Sequence, residues 1–122
     1  MSFGFKNLEV WKVSKSFAKD VYKLTTAFPS DEKYGLVAQL RRAAVSVMSN
    51  IAEGAGRKHK KEFDHFLYLA RGSLNETMAQ LEISFEFGYI NRDQLDLIEK
   101  KAESINGMLW KLSKSLEKSE DR

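Results

Sequence analysis

The chain of 122 residues has no cysteine. A disulfide framework, a thiolate metal site and a cysteine nucleophile are therefore excluded. The absence suits a reducing compartment, and the cytoplasm is the expected location. There is a single proline, Pro29, and only two histidines, His59 and His65. Long apolar runs are missing as well: Lys6, Lys12, Lys15 and Lys19 break up the first twenty residues, so neither a signal peptide nor a membrane span is expected there or further on. No stretch alternates with the period of a strand, and no fixed-period repeat occurs. The length fits one domain, 1–122, able to bury a core without covalent staples.

What the chain does have is helical periodicity, in four segments. From about residue 7 to 28, Leu8, Val10, Trp11, Val13, Phe17, Val21, Leu24 and Phe28 form one wide apolar face, with Asn7 as the expected N-cap. From about 32 to 54, Val37, Leu40, Ala44, Val47 and Ile51 recur in steps of three and four, and Gly54 is the expected left-handed closing residue. From about 60 to 88 the stripe is Phe63, Phe66, Leu67, Ala70, Leu74, Met78, Leu81 and Phe85, and Gly72-Ser73 offers room for close helix approach. From about 91 to 118 the seam Leu95, Ile98, Ala102, Ile105, Leu109, Leu112 and Leu116 follows Asn91 and Gln94, spaced as a capping box. A disordered tail is expected over about 119–122. Four amphipathic helices joined by short connections predict an all-α, antiparallel up-down-up-down four-helix bundle. Apolar residues off these faces, including Leu97, Met108, Trp110 and Phe87, exceed what one core needs and point to homo-oligomerisation.

The formal net charge of +3 hides an asymmetry: residues 1–61 carry net +7 and residues 62–122 net −4. Such a split can attract a polyanion, or pair one half of the chain with the other. The cations concentrate in Arg41, Arg42, Arg57, Lys58, Lys60 and Lys61, opposed between 41 and 61 only by Glu53. These six are the candidate nucleic-acid-binding residues, with Arg41 and Arg42 forming a second patch about 20 Å back along their helix.

Chemistry-bearing motifs are sparse. The run "SNIAEGAGRKHKKEF", Ser49 to Phe63, holds a Gly-Ala-Gly but lacks the third glycine of a dinucleotide fingerprint and follows a helix instead of a strand. It reads as a corner between helices. Glu62-x-x-His65 is unaccompanied by the second Glu-x-x-His of a di-metal bundle, and no nucleophile elbow occurs. No catalytic, cofactor-binding or metal residues are assigned. Ser46, Asn50 and Glu53 on the second segment, with Arg71 and Glu76 on the third, read as a structural polar network that fixes register or subunit pairing.

Several runs recur together in one known family. They are "FKNLEVWK" at Phe5 to Lys12, Phe28-Pro29, and Gln-Leu-Arg-Arg-Ala, Ser-Asn-Ile-Ala-Glu-Gly and Ala-Arg-Gly-Ser-Leu-x-Glu, in that order, between Tyr34 and Ser84. The chain thereby resembles the 23S rRNA intervening-sequence protein family over almost its whole length. His59 departs from the pattern, standing where the family commonly has serine at the expected N-cap of the third helix. The resemblance implies a four-helix bundle assembling as a ring, typically a homopentamer. It also implies a bacterial gene, set inside an insertion of a large-subunit rRNA gene or elsewhere, in a family with no established enzymatic activity and an unsettled physiological role. The family is similar in fold to an accessory protein of diversity-generating retroelements that binds nucleic acid and a reverse transcriptase. The resemblance therefore implies RNA, DNA or a nucleic-acid-processing protein as partners beside the self-contact; the lack of long apolar runs gives no membrane as an expectation. The family's characteristic polar positions fall on Arg41, Arg42, Asn50, Glu53, Arg57, Arg71 and Glu76. A purely protein-interacting scaffold is the alternative.

Overall fold

The computed structural model describes residues 3–120, with side chains to residue 118 of the last helix. Four helices carry the chain: α1 Glu9–Thr25, α2 Leu36–Ala55, α3 Lys60–Glu86 and α4 Arg92–Glu120. Short 3-10 turns occupy Gly4–Asn7 and Ser30–Glu32. Each helix packs against two others, in the cycle α1, α2, α3, α4 and back to α1. Cross-helix hydrogen bonds fix the directions. Gln80 meets Gln39 and Ser73 meets Ser46, so α2 and α3 run antiparallel. Ser113 near the end of α4 meets Asp64 near the start of α3. The chain is a four-helix bundle.

Most of the core comes from the side chains that the helical spacing selected; Phe63, Phe66, Met78 and Phe85 of the third stripe are only half-buried, and Ile90, Ser14, Thr25, Thr77 and Ser84 are buried beside the selected set. Phe17 and Val21 of α1, Leu40, Val47 and Ile51 of α2, Leu67 and Leu81 of α3, and Leu95, Ile105 and Leu109 of α4 are all buried. Each contributes about 1.5–3 kcal/mol through removal from water. Leu112 and Leu116, at the far end of the α4 seam, are half-buried. Trp11, part of the apolar face of the first segment, is buried, and the Phe5 ring meets it edge-on at 4.9 Å.

The helix ends differ from the sequence reading in several places. Asn7 is not an N-cap: it ends the first 3-10 turn, and α1 starts after Leu8, which is extended and makes no side-chain cap. The first helix ends at Thr25 and not near 28, because the chain turns there to bring Phe28 into the core ahead of Pro29. The second starts at Leu36, the 3-10 turn having used the residues before it.

Gly54 is not a left-handed terminator either. It lies within α2, and a Cβ on it would stand 2.7 Å from Phe66 Cβ and 2.9 Å from Phe63 Cδ1. It is glycine because α3 crosses there. The left-handed residue is Gly88, at φ 80°. It closes α3 with the paired bonds Tyr89 N–H to Ser84 O and Gly88 N–H to Phe85 O, both 2.9 Å. Gly72, expected at a close approach, faces open space. Of the tail expected over about 119–122, residues 119 and 120 continue α4, and 121 and 122 lie outside the described residues. No helix among the described residues is long and apolar enough to cross a membrane.

Candidate nucleic-acid interface

The α2–α3 corner is built by the residues around Gly54. Arg57 N–H bonds Gly54 O at 3.0 Å and Gly56 N–H bonds Glu53 O at 3.2 Å, ending α2. His59, extended at φ −106° and ψ 139°, holds the N-cap position of α3 without a side-chain cap. The first free N–H groups of α3 therefore lack the side-chain acceptor that a serine at this position supplies. Arg57, Lys58, Lys60 and Lys61 are all exposed at this corner. Arg57 is held from two sides: Nη2 donates to Glu53 Oε2 at 2.8 Å, and the guanidinium lies 4.7 Å from the centre of the Phe66 ring. Both partners of that ion pair are largely in water, so it orients Arg57 more than it stabilises the fold.

Arg41 and Arg42 lie elsewhere, toward the other end of α2; Arg41 is half-buried and engaged with α1, and Arg42 is exposed. Arg41 Nε donates to Thr25 Oγ1 at 2.9 Å and Nη2 to Tyr22 O at 3.3 Å, with the guanidinium 4.5 Å from the Tyr22 ring centre. It fastens the C-terminal turn of α1, where a cation also opposes the helix dipole. Arg42 is exposed and lines a recess of about 180 Å³ with Gln39, Ala43, Ser46 and Glu76.

The five residues assigned to a polar network form separate groups. Asn50 Nδ2 donates to Ser46 O at 2.8 Å and to Ser46 Oγ at 3.0 Å, and Ser73 Oγ donates to Ser46 Oγ at 2.9 Å, bridging α2 to α3. Gln80 Nε2 donates to Glu76 Oε2 at 3.2 Å and to Gln39 Oε1 at 3.3 Å farther along the same seam. Glu53 pairs with Arg57 instead. Arg71 does not join them: it faces α4, with its guanidinium 4.3 Å from the Trp110 ring centre. The hydrogen bonds of Ser46 are to Asn50 and Ser73, and Glu76, which lines the same recess, bonds Gln80 instead. Among the described residues, no group of three or more His, Asp or Glu side chains is placed to hold a metal ion.

Two contacts were out of reach of sequence reasoning. Arg71 and Trp110 stand 39 positions apart on different helices, and no local spacing connects them. Tyr89 O–H donates to Glu32 Oε2 at 3.0 Å, tying the α3–α4 corner to the 3-10 turn before α2. Accepting that bond, Glu32 raises the Tyr89 pKa above the ordinary tyrosine value; burial and the charges of Glu32 and Asp31 act in the same direction.

Comparison with known proteins adds three findings. A family model described as 23S rRNA-intervening sequence protein matches residues 6–111. Among solved structures, the chain is similar to a protein of unknown function from the S23 ribosomal protein family of Bacteroides thetaiotaomicron VPI-5482. That match has a TM-score of 0.79 at 27% sequence identity, over 86% of this chain and 95% of the other. No curated protein matches the chain.

Proposed function

The chain belongs to the 23S rRNA-intervening sequence protein family, and from that premise we propose a non-enzymatic, cytoplasmic, oligomeric protein that binds nucleic acid through its basic corner. The observation carrying this reading is the gathering of Arg57, Lys58, Lys60 and Lys61 on one exposed turn between α2 and α3. A rigid glycine-packed crossing presents them together, and phosphate oxygens are the natural partners of such a set. Binding of this kind is read from backbone charge and carries little base specificity. Arg41 makes no part of it, being committed to α1.

Self-assembly, as a ring and by family resemblance a pentamer, belongs to the same proposal. Leu69, Ile83 and Phe87 are 39%, 42% and 57% exposed and fall along one face of α3 and its C-terminal cap, and Leu97 of α4 is 73% exposed. Exposed apolar side chains on a small bundle, here interspersed with Gly72, Glu76 and Gln80 on α3, suit a cover, and a second copy provides one. Repeating the corner around a ring multiplies weak phosphate contacts. A nucleic-acid-processing protein is a further partner that this arrangement would admit.

The test is a salt titration of binding to generic RNA and duplex DNA. Affinity is expected to fall steeply with salt. Replacing Arg57, Lys58, Lys60 and Lys61 by alanine is expected to flatten the slope by about one for each phosphate no longer neutralised. Binding that is absent at low salt, or indifferent to salt, overturns the reading. An unchanged oligomer mass in the alanine variant is expected; dissociation would make the corner an assembly element and favour a purely protein-interacting scaffold.

A further inference from the structure

The face where α3 meets α4 holds a recess of about 190 Å³ lined by Asp64, Leu67, Tyr68, Arg71, Trp110 and Ser113. Its chemistry is unlike the rest of the surface. Tyr68 is 67% exposed and Trp110 47%, so both aromatic rings reach solvent, with Arg71 over one side of Trp110. Arg71, half-buried, stacks on Trp110, yet its Nε is buried and makes no hydrogen bond. Among the described residues, no carboxylate pairs with Arg71. Arg41, Arg57 and Arg92 each have an oxygen partner, and Arg42 stands in water. Asp64, the acid nearest at hand, accepts a hydrogen bond from Ser113 instead. Nε is closed to solvent, so a ligand meets the outer Nη groups, which make no hydrogen bond among the described residues.

The surroundings give the recess a direction. Lys61 lies seven residues before Tyr68 on α3, two turns or about 10 Å away, and Lys114 is one turn beyond Trp110 on α4. Both are exposed. At the other end the same groove turns acidic, where Glu82, Glu99 and Glu103 line it with Asn75 and Asn106. A polyanion can enter from the basic corner and is repelled beyond Trp110.

We infer that this recess takes an unpaired base of a single-stranded nucleic acid, stacked against Tyr68 and Trp110, while the adjacent phosphates meet Arg71 and the basic corner. The inference rests on the nucleic-acid reading above and refines it to single strands. Exposed aromatic faces beside arginine accept any base, since every base has a π-face. Asp64 and Ser113 at the floor supply acceptors for the ring or exocyclic N–H groups of a base. Duplex bases are already stacked and cannot enter. Trp, Tyr and Arg also dominate protein–protein hot spots. The lysines at the mouth, and the placement on a different face of α3 from the Leu69–Ile83 stripe, favour the polyanion.

The chain has two tryptophans, and Trp11 is only 8% exposed, so quenching by a stacked base reports on Trp110. The experiment measures binding of a labelled unstructured strand, of DNA and of RNA, against a duplex of equal length at one salt concentration. The single strand is expected to bind more tightly and to quench tryptophan emission, and Trp110→Phe to abolish most of that quench. Tyr68→Ala, at an exposed position, is expected to weaken single-strand binding about tenfold while leaving duplex binding and its salt slope unchanged. If single strand and duplex bind alike, without quenching and without sensitivity to Tyr68→Ala, the inference fails while the corner's phosphate binding stands. If nothing binds at low salt, both fall. If Tyr68→Ala changes the oligomer mass and not the affinity, the recess is a protein contact and the inference is overturned.

Discussion

Gly54 shows how much one side chain's absence can decide. A glycine inside a helix ordinarily costs about 1 kcal/mol relative to alanine. Here a methyl group would stand 2.7 Å from Phe66 Cβ, and the phenylalanine cannot retreat without moving α3. Gly54→Ala is therefore expected to destabilise the bundle by about 1–3 kcal/mol in urea denaturation, despite the gain in helix propensity. Gly107→Ala, inside α4 with nothing within 4 Å of the added carbon, is expected to stabilise by up to about 1 kcal/mol. The opposite signs separate packing from propensity. Sequence alone suggested that Gly54 was special but gave the wrong reason: its partner, Phe66, lies twelve positions away across a corner. Arg71 was misassigned for the same kind of cause. Its residue type suggested a polar network, and only the rotation of α3 between α2 and α4 decides which neighbour it meets.

At the scale of elements, local signals were legible and contacts between elements were not. The Asn91–Gln94 capping box is present as its spacing predicted, with Gln94 N–H to Asn91 Oδ1 at 2.8 Å and Asn91 N–H to Gln94 Oε1 at 2.9 Å. Asn91→Ala is expected to cost about 1 kcal/mol, read as a lower thermal midpoint with the helical signal otherwise retained. The four apolar stripes likewise follow from period, because burial of one helix face is a property of the helix itself. Asn7 misled because the apolar pattern starts beside it, while the backbone makes a 3-10 turn first. Tyr89 and Glu32, 57 positions apart, could not be paired from sequence. Their bond carries a pH signature. The folded-state pKa of Tyr89 is raised, so the stability it contributes is fully present below the ordinary tyrosine pKa, about 10, and is lost as pH rises through the folded value. Denaturation midpoints measured from neutral to strongly alkaline pH should show this loss in the wild type, and Tyr89→Phe should remove this residue's share of it.

For the whole molecule, the bundle and its family were legible because both depend on patterns spread along most of the chain. The candidate site was legible only as charge. Arg57, Lys58, Lys60 and Lys61 are consecutive enough to be seen, whereas Tyr68, Arg71 and Trp110 become neighbours through the antiparallel pairing of α3 and α4. That pairing also arranges charge along the groove, from the lysines near the α2–α3 corner to Glu82, Glu99 and Glu103 farther on. The molecule therefore has an electrical head and tail on this face. A long anion arriving from solution feels a torque before it feels a contact, and the head is turned toward it. Association should consequently be faster than chance orientation allows, with a rate that drops as added ions shorten the reach of the field.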